Sequence, residues 1–191
     1  MGASPETTGA LPVSPRVGLA RRLLGIAVGT LAVAAAAQVA VPVPLSPVPM
    51  TLQPLAVLAV GGLLGAGGGV AALVAYLSLG ALGLPVFAGG SGGVLHLLGP
   101  TGGYLLAFPV AAGLTGALIG GRGRVLRTLG ACALGMVVIH LGGVAQLALL
   151  GGNASTAFRV GFVPFLTGDL LKVGLAAAVI LGLRPRARRV N

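Results

Sequence analysis

Gly168-Asp169-Leu170-Leu171-Lys172 stands near the start of the last apolar run of the chain, 164–183. Asp169 is one of two acidic residues, the other being Glu6, and Lys172 is the one lysine. Three residues apart on a helix, the two side chains share a face and can touch. An ionised side chain inside a membrane helix costs about 2.5–3.5 kcal/mol even on insertion scales. A run this apolar therefore retains both charges for a use. Self-neutralisation within one helix is the bland use; a polar contact inside a substrate cavity is the reading favoured here.

Outward from this pair, composition points the same way. Hydrophobic residues make up 56% of the 191 and charged residues 7%, and the mean hydropathy is +1.06. That leaves too little polar surface to cover a water-soluble globule. The apolar runs are continuous rather than alternating, which excludes a membrane β-barrel and predicts an all-α integral membrane protein. The net charge of +10 does not signal nucleic acid, because the arginines fall where apolar runs end and no aromatic residues interleave with them. They read as topology signals in a lipid bilayer. The single Cys132, inside an apolar run, excludes an intramolecular disulfide and a cysteine-rich metal site.

The chain divides into a disordered cytoplasmic tail (1–15), a six-helix transmembrane substrate-binding domain (16–184) and a basic cytoplasmic tail (185–191). Arg16, Arg21 and Arg22 precede a first helix at about 23–41. This run resembles a secretory signal with Ala35-Ala36-Ala37 as a cleavage site, but it is long enough to span and is taken as retained. Its Gly25/Gly29 and Ala32/Ala36 pairs make a smooth strip for close helix approach. From Val41 to Pro54 five prolines exclude a regular helix and predict an extended, rigid loop. The next apolar stretch, about 55–84, is interrupted at Gly61-Gly62 and Gly65–Gly69, and is read as two short helices joined by a tight glycine turn. Leu84–Phe108 is broken by glycines, Pro85 and Pro100. Irregular backbone at membrane depth is tolerated where it lines a cavity, so this is a binding-loop candidate. Helices at about 103–120, 126–150 and 164–183 complete the six, with a loop over Gly151–Gly161.

Six helices place Arg16, Arg21, Arg22, Arg122, Arg124, Arg127, Arg184, Arg186, Arg188 and Arg189 on one side, and Arg159 alone on the other. That is the positive-inside pattern with both termini cytoplasmic. Merging the second and third helices would spoil it. The proline loop, the glycine-rich segment and the start of the last helix then lie outside, above Asp169.

There is no GxxxxGK phosphate loop, and beside Asp169 no second carboxylate is available to hold magnesium, so the chain is not expected to hydrolyse ATP. Gly89-Gly90-Ser91-Gly92 fits the GxSG pattern of rhomboid-like proteases with His140 as base, but such a match is cheap among 35 glycines and nothing orients the histidine. His140 reads better as a hydrogen-bonded residue between helices. His96 and His140 lack the supporting ligands of a metal site.

Four segments together resemble one family. Pro42-Val43-Pro44 through Thr51-Leu52-Gln53, Gly83-Leu84-Pro85-Val86-Phe87-Ala88-Gly89-Gly90, Leu98-Gly99-Pro100-Thr101-Gly102-Gly103-Tyr104 and Gly168-Asp169-Leu170-Leu171-Lys172 are similar, in order, to the BioY family. Its members are the biotin-binding S components of energy-coupling factor (ECF) transporters, and the match runs from about Ala20 to Leu183. The resemblance implies a six-helix bundle in the plasma membrane that captures biotin as substrate and uses no cofactor. It implies work with a transmembrane T component and a pair of ATP-binding-cassette ATPases. It implies a proline loop that closes over the ligand, and a pocket drawn from Gln53, Gly90, Ser91, Gly99, Pro100, Thr101, Tyr104, Asp169 and Lys172. It also gives Ala32 and Ala36 of the first helix the role of docking the T component. The chemistry suits biotin, whose ureido ring offers two N–H donors and a carbonyl and whose tail is a carboxylate. The alternative is a small secondary carrier with Asp169 as a proton relay, which would transport without partners.

Overall fold

The computed structural model of the chain describes residues 15–119 and 125–184, with side chains of the first helix from residue 18 onward. Both terminal tails, and with them Arg186, Arg188 and Arg189, lie outside the described residues, as do Arg122 and Arg124. Helix α1 spans Pro15–Gln38, starting earlier than its apolar run, so Arg21 and Arg22 are helical. It ends where the chain turns into the short strand β1, Ala40–Val41, which pairs antiparallel with β2, Met50–Thr51. Those four residues close the proline segment into a hairpin-like loop. Pro54 does not exclude a helix: it sits in the first turn of α2 (Gln53–Ala81), where a missing N–H costs no internal hydrogen bond.

Helix α2 is two arms, not one span. Gly65 breaks it with φ 74° and ψ 176°, a conformation that glycine adopts without the Cβ clash other residues meet. Gln53 Nε2 donates to Tyr76 Oη at 2.7 Å. On a straight helix these residues would stand about 35 Å apart at about 1.5 Å per residue. The arms 53–64 and 66–81 therefore run antiparallel, as the glycine cluster and the arginine count predict. Gly61 and Gly62 lie within the first arm and interrupt nothing; they are buried at its contact with the rest of the bundle.

After the second arm come a 3-10 turn at Ala88–Gly90, a short helix α3 (Val94–Leu98) and α4 (Gly102–Leu118), so part of the glycine-rich segment is helical. Helix α5 spans Val125–Gly151. The expected loop over 151–161 is instead largely helix α6, Ala154–Gly161. Asn153 caps it, its Oδ1 accepting from Thr156 N at 2.9 Å. A 3-10 turn, Val163–Phe165, leads into α7, Leu166–Leu183. The six long elements of the bundle are α1, the two arms of α2, α4, α5 and α7, while α3 and α6 are short pieces at one end of it.

Lipid is as apolar as leucine, so these helices are held by close packing rather than by exclusion of water. The α2–α4 contact is backbone on backbone: a Cβ on Gly116 would stand about 2.5 Å from Ala66 N and Gly65 C. Gly25 and Gly29 face inward against Leu64, Val60 and Ala72, and Thr30 Oγ1 donates to Ala72 O at 2.9 Å. That half of the small-residue strip is spent inside the bundle. At the opposite end from α3 and α6, Arg127 Nε donates to Leu118 O and Arg184 Nη1 to Ile119 O, both at 2.6 Å. These two arginines satisfy carbonyls at the end of α4 that have no partner within the helix.

Candidate ligand-binding site

Near its start, α7 presents Asp169 and Lys172 to the bundle interior, and both are buried. Lys172 Nζ donates to Asp169 Oδ1 at 2.9 Å, the i,i+3 contact that the spacing predicts. Asp169 Oδ2 lies 2.6 Å from His140 Nε2 on α5. An ionised carboxylate only accepts, so this contact places a proton on Nε2. Around the imidazole stand Phe162, Phe165 and Tyr104, with ring centroids at 4.9, 6.2 and 6.0 Å. The opposite ring atom, His140 Nδ1, is the one buried side-chain nitrogen or oxygen without a partner among the described residues.

These groups border a small cavity with about 50 Å³ of free space. Its wall takes Val48 and Pro49 from the proline segment, Gln53 from α2, His96 from α3 and Thr101 and Tyr104 from the start of α4. His140, Phe165, Asp169 and Lys172 complete the opposite side. Tyr104 donates its hydroxyl to Gly161 O at 2.6 Å, tying α4 to α6. The ring lies so close to α5 that a Cβ on Gly143 would overlap it. Gln53 belongs to a chain of hydrogen bonds. Thr51 Oγ1 donates to Gln53 Oε1 at 3.2 Å, Gln53 Nε2 donates to Tyr76 Oη, and Tyr76 Oη donates to Val86 O at 3.1 Å. The polar edge near α2 is thereby bound to the loop after its second arm.

His96 stacks on Phe87, with centroids 5.1 Å apart and 20° between planes, and its Nε2 lies 3.1 Å from Thr101 Oγ1. Partial burial lowers its pKa from the ordinary histidine value.

Of the residues expected from sequence, Gln53, Thr101, Tyr104, Asp169 and Lys172 line this cavity. Gly90, Ser91, Gly99 and Pro100 do not line it; they shape the loops that carry Ala88, His96 and Thr101 to it. Gly90 N donates to Gln38 Oε1 at 3.1 Å, and Ser91 Oγ donates to Ala88 O at 2.8 Å. Gly99 O accepts from Gln146 Nε2 at 2.6 Å, and Pro100 borders a separate surface groove beside α5 and α6. His140 and His96, which motif reasoning left out of the pocket, are in its wall. On α1, Ala32 is exposed whereas Ala36 is partly buried against the bundle core.

Residues 7–189 match the BioY family. The chain belongs to that family. A probable biotin transporter BioY of Pyrococcus horikoshii is 45% identical over 144 residues, which cover 74% of this chain and 83% of the relative. The biotin transporter BioY of Thermotoga maritima is 40% identical over 142 residues, covering 74% and 84%. Among solved structures, the crystal structure at 2.1 Å of the S-component for biotin from an ECF-type ABC transporter superposes with a TM-score of 0.84 at 27% identity. The superposition covers 92% of this chain and 96% of that one. In this BioY chain the GxSG pattern is not a protease site: Ser91 is bonded to its own turn and His140 to Asp169.

Proposed function

We propose that this chain captures biotin from outside the plasma membrane and serves as the substrate-specific S component of an ECF transporter. The observation that carries the reading is the buried Asp169, held between Lys172 and His140 at the wall of a cavity under the proline segment. Asp169 still has lone pairs for ureido N–H donors, Lys172 and Thr101 have donors for the carbonyl or the carboxylate tail, and Tyr104, Phe108 and Phe165 supply apolar cover. The free space of about 50 Å³ is far below the roughly 300–1,000 Å³ of small-molecule sites. In this reading Val48 and Pro49 move aside for entry and close afterwards.

The partners in this reading are a transmembrane T component and a pair of ATP-binding-cassette ATPases, and both termini are cytoplasmic. Support for the orientation comes from the bundle end that gathers Arg21, Arg22, Arg127 and Arg184, with Arg159 on α6 at the other. Calorimetry of the purified chain tests the ligand: biotin should bind tightly without partners, and dethiobiotin, which keeps the ureido group, measurably. Absence of binding to both overturns the assignment. In a Cys132→Ala background, a cysteine at Ser155 should react with an impermeant reagent from outside and one at Val125 should not; the reverse pattern overturns the orientation.

A further inference from the structure

We propose that the groove between α1 and the Gly65 turn holds the phosphate of an anionic phospholipid. The groove, about 400 Å³, lies at the bundle end that gathers arginines, away from the cavity bordered by Asp169. Arg21 and Arg22 form its polar side, and Ile26, Leu63 and Leu64 its apolar side. Gly67 lies on its floor beside the Arg22 guanidinium: a Cβ there would stand 3.5 Å from Arg22 Nη2, in ordinary contact.

The four described arginines at this end divide by use. Arg127 and Arg184 are taken up by carbonyls of α4. Arg21 and Arg22 have no hydrogen bond or ion pair among the described residues, although two adjacent guanidinium groups repel each other. Each presents five N–H donors in a planar fork that matches two phosphate oxygens at once. Asp169, the one described carboxylate, is consumed at the other end by His140 and Lys172. Among the described residues no carboxylate is left for them, and charge complementarity favours an anion at this groove.

The apolar half of the groove selects a lipid over a free anion. Leu24, Val28 and Leu31 are exposed and share the face of α1 that carries Arg21, so a headgroup seated at Arg21 and Arg22 can lay its acyl chains along them. Basic pockets between helices at the cytoplasmic surface bind anionic headgroups by this combination. The proposal does not depend on which molecule fills the cavity under the proline segment.

The test uses the full chain, purified in a neutral detergent and given phosphatidylglycerol, phosphatidylcholine or sodium phosphate. Native mass spectrometry counts retained lipid, and melting temperature reports its effect. Phosphatidylglycerol should be retained and raise the melting temperature by several degrees; phosphatidylcholine and sodium phosphate should do neither. Arg21→Gln with Arg22→Gln should weaken retention at least about ten-fold, since both charged forks are lost, while biotin affinity stays unchanged. Arg159→Gln, at the opposite end, should behave as the parent. If the double glutamine variant does not fold, Arg21→Lys with Arg22→Lys keeps the charge and loses the fork, and should retain less phosphatidylglycerol than the parent. Equal retention by the parent and whichever double variant folds overturns the site. Equal stabilisation by sodium phosphate overturns the lipid as its occupant.

Discussion

His140 Nε2 approaches Asp169 Oδ2 to 2.6 Å across the α5–α7 contact, while Lys172 takes the other oxygen at 2.9 Å. One carboxylate is thereby fixed in plane by donors from two helices. A helix that carried only Asp169 and Lys172 would leave the carboxylate free to rotate about its last torsion.

The imidazole should therefore matter to ligand affinity rather than only to packing. His140→Phe suits the aromatic surroundings of Phe162, Phe165 and Tyr104 but removes the donor to Oδ2. A hydrogen bond to a charged group is worth about 1.5–3 kcal/mol, so biotin affinity should fall about ten- to a hundred-fold. His140→Gln, which can restore a donor, should recover part of it. Calorimetry showing parental affinity in the phenylalanine variant would reduce the histidine to packing.

Asp169 and Lys172 separate binding from scaffolding by a double change. Removing one partner leaves a buried charge uncompensated and should destabilise the chain by about 3–5 kcal/mol. Asp169→Asn with Lys172→Met removes both charges and should restore the melting temperature in detergent. Biotin binding should not return with it, because the ligand loses its charged contacts at once. If the double variant binds biotin like the parent, the pair is structural and the polar contacts lie in the loops.

What could be read from sequence, and what could not, follows the range of the forces involved. The Gly65 turn was legible because glycine spacing and arginine placement are local signals with a topological consequence. The i,i+3 contact of Asp169 and Lys172 was legible for the same reason. Helix α6 was missed because it is eight residues long, preceded by Gly151 and Gly152 and ended by Gly161, although Asn153 carried a capping signal. His140 was legible as an interhelical hydrogen-bonding residue but not as Asp169's partner. The two are 29 residues apart, and their meeting depends on how α5 packs on α7. The motif glycines Gly90 and Gly99, expected in the pocket, stand off its wall and belong to the loops that carry Ala88, His96 and Thr101.

His96 gives the α3 segment a pH dependence of definite sign. Burial against Phe87 lowers its pKa in the folded state, so below the ordinary value of about 6.5 the unfolded chain binds more protons than the folded one. Its contribution to stability is present in full above about pH 6.5 and is lost as pH falls through the folded-state value. His96→Phe keeps the stacked ring and removes the titration. Melting temperature followed from pH 8 to pH 5 should decline less steeply in this variant than in the parent. Superimposable profiles would assign the decline to other groups.

Docking of the T component, part of the proposed function, now has a sharper mutational test than the Ala32 and Ala36 strip first suggested. Ala36 is partly buried against the core formed by Val33, Val57 and their neighbours, so Ala36→Leu overpacks this chain itself, typically by about 1–3 kcal/mol. A failure of that variant to assemble would have two explanations. Ala32 is exposed on α1, so leucine there does not overpack the core as it does at position 36. It would nevertheless hold another helix away, because close approach needs a small side chain at the contact. Ala32→Leu should therefore keep the parental melting temperature and biotin affinity while losing co-purification with the T component. Undiminished co-purification would move the docking surface off this face of α1.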